Sequence, residues 1–278
     1  MRFSRAFSVE SKGIFFMNRF QDLQLPPSLS KALQAMSLLK PTPVQAQSIP
    51  PALARQDVIG IAPAETGKTA AYCIPIAVRL SKCPGRSALI LVPTHELALK
   101  IEKFWKSFTQ LSKELTSTLL TSGTAMSQQV TNLRLAPRLI VATPDQLVEH
   151  LSRGTISVSK TEILVLNEAD RMLELGFAPQ LTQILRFVPK VRQTLLFSAT
   201  WPKSIDLLAS KYMKDPARVI LSQESEPLAK TKPATSAAPA RLLKKSATKL
   251  NKSSASIKPA LLAKSSLPQF RSGLTERG

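Results

Sequence analysis

Cysteine and histidine are scarce in this chain. Its 278 residues include two cysteines, Cys73 and Cys83, and two histidines, His95 and His150. Two thiols cannot build a disulfide framework or a multi-cysteine zinc site, and two imidazoles argue against a histidine-rich metal centre. No uninterrupted apolar run approaches the roughly 20 residues that span a bilayer. Acidic residues are also few, 18 against 38 Lys and Arg, which gives a formal net charge of +20. A chain this basic usually meets a polyanion, most often nucleic acid. With so few cysteines, a reducing cytoplasm is the default compartment. Hydrophobic residues make up 44%, enough for a real core, and the length suits one large domain or two small ones.

Three segments differ in composition. Residues 1–17 form a short lead with Arg2, Arg5 and Lys12 against one acid, Glu10. Organelle presequences are similarly rich in arginine and poor in acid. The preferred expectation is an unstructured extension, or an upstream start with Met17 as the true first residue. Residues 18–221 alternate apolar runs with amphipathic stretches. The runs are Asp57–Ala62, Ala88–Val92, Ser117–Thr121, Arg138–Ala142, Glu162–Asn167, Gln193–Phe197 and Ala217–Leu221. Continuous runs of Ile, Val and Leu suit strands buried on both faces. Ser28–Leu39, Glu96–Leu111 and Pro179–Phe187 carry helical spacing. Strand–helix alternation predicts an α/β domain with a parallel sheet and helices on both faces. Residues 222–278 hold 11 Lys and Arg against 3 acids and a single aromatic, Phe270. This Ser-, Ala-, Pro- and Lys-rich tail is expected to be disordered, with Lys244 and Lys245 inside a segment able to fold locally on an anionic partner.

One loop carries chemistry. Strand Asp57–Ala62 runs into Ala62-Pro-Ala-Glu-Thr-Gly-Lys-Thr69 and then a helical stretch. A strand, a loop ending Gly-Lys-Thr and a helix form the context of a phosphate-binding loop. Backbone N–H groups at the helix start would cradle phosphate oxygens. Lys68 would reach the terminal phosphates and Thr69 would hold Mg²⁺. Pro63 supplies no N–H donor. The alternative is a chance Gly-Lys-Thr at a helix start. A second strand ends in Asn167-Glu-Ala-Asp170, where an ATPase places its Mg²⁺ partner and the carboxylate that orients water. Exposed charges at a strand end are the plainer alternative.

Together these pieces resemble the first RecA-like domain of a DEAD-box ATP-dependent RNA helicase, closest in flavour to bacterial ones. The likeness runs from about Phe20 to Leu221. It rests on Phe20 upstream of Pro41-Thr-Pro-Val-Gln45, the loop just described, Pro93-Thr-His-Glu-Leu-Ala98, Ser122-Gly-Thr124, Ala142-Thr-Pro-Asp-Gln146, Asn167-Glu-Ala-Asp170 and Ser198-Ala-Thr200, in family order and spacing. The resemblance implies a RecA-like P-loop NTPase fold, ATP and Mg²⁺ as ligands, and RNA as partner. It implies that Gln45 reads the adenine edge through its amide, with Phe20 and the loop residues Ala64, Glu65, Thr66, Gly67, Lys68 and Thr69 around the nucleotide. Glu168 would position the hydrolytic water beside Lys68, and Thr69 and Asn167 would hold the metal. Asp170 would bond Ser198 or Thr200 and so tie the nucleotide site to the RNA side. Pro93, Thr94, Gly123 and Thr143 would lie near the RNA backbone.

Against that family, several positions depart. Ala64 stands for Thr and Glu65 for Gly in the loop, which adds a negative charge beside triphosphate. Two like charges ~4 Å apart at an effective dielectric near 20 repel by ~4 kcal/mol, an upper bound if the side chain turns to solvent. Asn167 replaces the first Asp, so hydrolysis should suffer more than nucleotide binding. His95, Lys100, Ser122 and Asp145-Gln146 alter the RNA side, and Ser37-Leu38 replaces Gly-aromatic. After Leu221 the family continues into a second RecA-like domain with arginine fingers, where this chain enters its basic tail. Unaided unwinding is therefore not expected, and a partner protein would have to supply a second lobe. The tail's cations would bind RNA without sequence preference; the alternative is a solvated tail that aids solubility. A non-catalytic RNA-binding adaptor, or a truncated helicase remnant, stands as the alternative.

Overall fold

The seven apolar runs become seven neighbouring strands of one parallel sheet. The structure, a computed structural model, describes residues 8–10, 14–16, 19–23 and 25–221. Strands β1 (Ser8–Glu10) and β2 (Ile14–Phe16) pair as an antiparallel hairpin. A 3-10 turn over Phe20–Leu23 leads to α1 (Pro27–Ala35) and α2 (Pro43–Leu53). Then come β3 (Val58–Ile61), α3 (Lys68–Lys82), β4 (Ser87–Leu91), α4 (His95–Thr109), β5 (Ser117–Leu120) and α5 (Met126–Arg134). The chain continues through β6 (Leu139–Ala142), α6 (Pro144–Ser152), β7 (Thr161–Asn167), α7 (Ala169–Glu174), α8 (Ala178–Phe187), β8 (Gln193–Ser198), α9 (Lys203–Tyr212) and β9 (Ala217–Ile220). The strand order is β5-β6-β4-β7-β8-β3-β9, with every pairing parallel.

Successive residues of a strand point to opposite faces, so the sheet carries two cores. Val58, Ile90, Val165 and Leu195 pack with Leu33, Ile49, Ile74 and Trp105 from α1 to α4. Ile59, Leu89, Leu164 and Leu196 pack with Leu147, Met172, Ile184 and Ile205 from α6 to α9. Each fully buried Leu or Ile contributes roughly 1.5–3 kcal/mol. The inner strands β3, β6 and β8 are buried at every position, whereas edge strands β5 and β9 are not. That difference explains why the inner runs read as unbroken apolar segments.

Two expectations change. The helix expected over Ser28–Leu39 stops at Ala35. Ser37 turns left-handed at φ 57°, and the Leu38 N–H returns to the Leu33 carbonyl at 2.9 Å. This is a hydrogen-bonded C-terminal turn. The lead, expected to lack structure, contributes the β1–β2 hairpin, whose Val9, Ile14, Phe15 and Phe16 are residue types that favour strands. The tail, with Lys244, Lys245 and its expected disorder, lies outside the described residues. Among the described residues no helix is long and apolar enough to cross a membrane.

Asp57 fastens the base of the sheet. Its side chain is buried, and its two oxygens accept from Thr194 N at 2.7 Å and Lys214 N at 2.8 Å. This joins the start of β3 to β8 and to the turn before β9. Asp57→Ala strands both donors. The expected loss is about 2 kcal/mol, or about 4–8 °C in melting temperature for a domain of this size, read by circular dichroism.

Candidate functional site

Loops that follow parallel strands emerge at the carboxyl edge of the sheet, where ligands of open α/β folds bind. Between β3 and α3 the backbone turns through Glu65 at φ 61° and Gly67 at φ 91°. Glycine suits position 67 because side chains rarely adopt φ 91°, and a Cβ there would also press on the Gln45 amide. Glu65 adopts the left-handed conformation with a side chain, at a cost of about 1–2 kcal/mol, and that side chain is exposed, as is Ala64. The Thr66 hydroxyl donates to Pro63 O at 2.9 Å and closes the loop. Lys68 is 8% exposed, and its ammonium donates to Ala62 O at 2.7 Å. Burial lowers its pKa, while the negative charges of Glu168 and Asp170 act the other way. Thr69 lies half-buried in the first turn of α3.

Gln45 joins this loop from α2. Its Oε1 accepts from Thr42 N at 2.9 Å and its Nε2 donates to Gly67 O at 3.0 Å. One amide hydrogen and one lone pair remain for a ligand. Phe20 is buried in the core formed with α1 to α4.

The ends of β7 and β8 complete this side. Asn167 closes β7 and is buried, and its Oδ1 has no partner. Glu168 follows at φ 54°, half-buried, as the residue before α7. Asp170 Oδ2 accepts from Ala199 N at 3.1 Å, Thr200 N at 2.8 Å and Thr200 Oγ1 at 2.9 Å. Its Oδ1 accepts from Arg171 N at 3.0 Å, and its own N–H donates to Ser198 Oγ at 3.3 Å. Burial alone would raise the carboxyl's pKa, but the donors from Thr200, Ser198 and Arg171 together hold it below its usual value. Ala62 bridges the two halves. Its N–H donates to Ser198 O at 3.0 Å, while its carbonyl receives Lys68.

The donors available fit a magnesium ion only in part. Among the described residues no group of three His, Cys, Asp or Glu could hold a metal. The unpartnered Asn167 Oδ1 is a buried oxygen beside Glu168, but it is neutral. With the Thr69 hydroxyl it suits Mg²⁺ held chiefly through nucleotide phosphates, the usual way that ion binds.

The other strand ends form a second surface. Pro93 is buried, and Thr94 caps α4, its Oγ1 accepting from Leu97 N at 3.3 Å. His95 Nδ1 lies 2.7 Å from Thr121 Oγ1. The imidazole packs over Gly123, where any Cβ would meet the ring at 2.5 Å. Thr143 precedes α6, buried and with Oγ1 unpartnered, and its N–H donates to Leu120 O at 3.0 Å. Thr94, Gly123 and Thr143 thus follow the adjacent strands β4, β5 and β6. Beneath them lies a buried cluster of Gln129 and His150, which no local sequence signal marks.

The sequence model of one family, described as DEAD/DEAH box helicase, matches residues 42–208. The chain is 38% identical over 227 residues to DEAD-box ATP-dependent RNA helicase 30 of Arabidopsis thaliana, covering 79% of this chain and 38% of that protein. It is 39% identical over 203 residues to ATP-dependent RNA helicase DeaD of Mycobacterium tuberculosis, covering 72% and 36%. It therefore spans a little over one third of the length of these relatives. Among solved structures, a DEAD box protein from the hyperthermophile Methanococcus jannaschii superposes with a TM-score of 0.70 at 32% identity, covering 74% of this chain and 56% of that one.

Proposed function

The chain belongs to the DEAD/DEAH box helicase family, and from that premise we propose that it binds ATP at the β3, β7 and β8 strand ends and RNA at the β4, β5 and β6 strand ends. The observation that carries this reading is the hydrogen-bonded path from Lys68 through Ala62 and Ser198 to Asp170. Gly67 and the amides opening α3 would receive the phosphates, with Lys68 moving its ammonium from Ala62 O to a phosphate oxygen. Thr69 and Asn167 would hold Mg²⁺, which supplies neutralising charge when bound. Glu168 would orient water toward the terminal phosphorus, giving ADP and phosphate. Glu65 and Asn167 weaken this chemistry, so hydrolysis is slow and RNA binding is the stronger activity. Glu65 and Asn167 also favour a second reading, a non-catalytic RNA-binding adaptor whose RNA affinity ignores ATP. Duplex unwinding would need a second lobe, from a partner protein or from sequence beyond this chain.

A fluorescent ATP analogue with Mg²⁺ tests the nucleotide half. Lys68→Ala should weaken binding about tenfold, the loss of one charge-assisted contact. The absence of binding in both proteins would remove the ATP reading. RNA-stimulated phosphate release that disappears in Lys68→Ala would support the enzyme, and RNA affinity indifferent to ATP would favour the adaptor.

A further inference from the structure

Gln129 lies on α5, has no exposed surface and uses both ends of its amide. Its Nε2 donates to Thr121 O at 3.0 Å and Thr124 O at 2.7 Å, and lies 3.3 Å from Gln146 Oε1. Its Oε1 lies 3.1 Å from His150 Nε2. An amide oxygen only accepts, so His150 must carry its proton on Nε2. Burial lowers the histidine's pKa, which keeps the ring neutral at neutral pH. Its Nδ1 then accepts from the Thr155 hydroxyl at 2.7 Å, in competition with His150 O, which lies 3.1 Å from the same hydroxyl. On the other side, Gln146 Nε2 donates to Glu149 Oε2 at 3.2 Å.

The groups held this way are not arbitrary. Thr121 O and Thr124 O flank Ser122 and Gly123, which are exposed. The turn's own internal bond, Thr124 N to Thr121 O, is long at 3.3 Å. Gln146 and His150 belong to α6, which begins immediately after Thr143. One amide therefore joins the turn after β5 to the helix after β6, the two segments that flank the second surface.

We infer that Gln129 and His150 are positioning residues that hold the Ser122–Gly123 turn and the Thr143–Gln146 segment in the fixed spacing that an RNA backbone meets. This rests on the RNA reading proposed above. Neither side chain touches RNA, and each acts through the backbone it holds. A backbone turn lacking these donors would sample many spacings, and RNA would have to select one of them.

The experiment uses the full chain with a short single-stranded oligoribonucleotide, at a salt concentration that suppresses purely electrostatic attachment. RNA affinity, nucleotide-analogue affinity and amide hydrogen exchange at residues 121–124 are measured for wild type, Gln129→Met, His150→Leu, His150→Gln and Thr155→Val. Gln129→Met and His150→Leu should weaken RNA binding about tenfold or more, speed exchange at the turn, and leave nucleotide affinity within about twofold, since the nucleotide strands lie elsewhere. His150→Gln, which can keep a donor toward Gln129, should bind RNA within about threefold of wild type. Thr155→Val frees His150 Nδ1 without altering Gln129 and, being milder, guards against a variant that merely unfolds. It should fall between those limits. Unchanged RNA affinity in both Gln129→Met and His150→Leu overturns the inference alone. Equal losses of RNA and nucleotide affinity also overturn it, since they signal general unfolding. A wild-type chain that binds no RNA overturns the RNA reading and this inference together.

Discussion

Replacing Glu65 with glycine should tighten ATP binding at least about fivefold, and by nearly a thousandfold at most. Both limits are electrostatic. A carboxylate ~4 Å from one phosphate charge repels it by ~1 kcal/mol in water and ~4 kcal/mol at an effective dielectric of 20. The exposed side chain of Glu65 can swing toward solvent, which favours the lower part of that range. The backbone adds an effect on stability. Glu65 sits at φ 61°, where glycine escapes a penalty of about 1–2 kcal/mol, so Glu65→Gly should also melt later. Glu65→Gln separates the causes, because it removes charge but keeps a side chain in the left-handed position. It should recover most of the affinity and none of the stability. Raising ionic strength should narrow the gap between wild type and Glu65→Gln. Equal affinity in wild type and Glu65→Gly, from equilibrium titration with a fluorescent analogue, would show that this side chain stands clear of the phosphates.

Asp170→Ala should lower stability by about 4 kcal/mol and loosen the Ser198–Thr200 segment. Its carboxylate accepts four hydrogen bonds, three of them from backbone N–H groups. Hydrogen bonds to charged groups contribute about 1.5–3 kcal/mol each, but they are not additive when they share one acceptor. The contribution depends on pH with a definite sign. The folded pKa is lowered, so the carboxylate stabilises the fold fully above the unfolded value of about 3.9 and loses that effect as pH falls through the folded value. The gap between wild type and Asp170→Ala, measured by urea unfolding, should be full at pH 6–8 and shrink below about pH 4. A gap that stays constant into acid would assign the stabilisation to packing instead.

The inner sheet strands are visible in the sequence because a strand buried on both faces must be apolar at nearly every position, while the half-exposed edge strands β5 and β9 are still marked by apolar runs. The helices are less legible. In α2, Pro50 and Pro51 interrupt the pattern, yet packing against the sheet keeps the segment helical. The end of α1 depends on Ser37 turning left-handed, which serine residues rarely do. In the nucleotide site, motif spacing picks out Gln45, Lys68, Glu168 and Asp170, and the fold brings Gln45 and Lys68 to one loop and both acids within electrostatic reach of Lys68. What the motifs do not reveal is that Gln45 and Lys68 are already bonded to the loop backbone. Gln129 and His150 stay hidden because they read as ordinary polar residues of amphipathic helices. Only the crossover from β5 to β6 brings residues 21 positions apart into contact.

The peptide groups of Ala62 carry a consequence for how this chain tolerates mutational drift. Lys68 rests on the carbonyl, Ser198 meets the N–H, and neither bond involves the alanine's side chain. Side chains around the loop can be exchanged, as at Ala64, Glu65 and Asn167, while the main-chain splice between the lysine and the Ser198–Thr200 segment survives. From position 62, a residue without an N–H removes one of the two bonds directly, and a large side chain strains both, because Ala62 is fully buried. Proline there would remove the bond to Ser198 O while leaving the β3–β8 pairing of Val58–Ile61, whereas Ala62→Ser would keep the N–H.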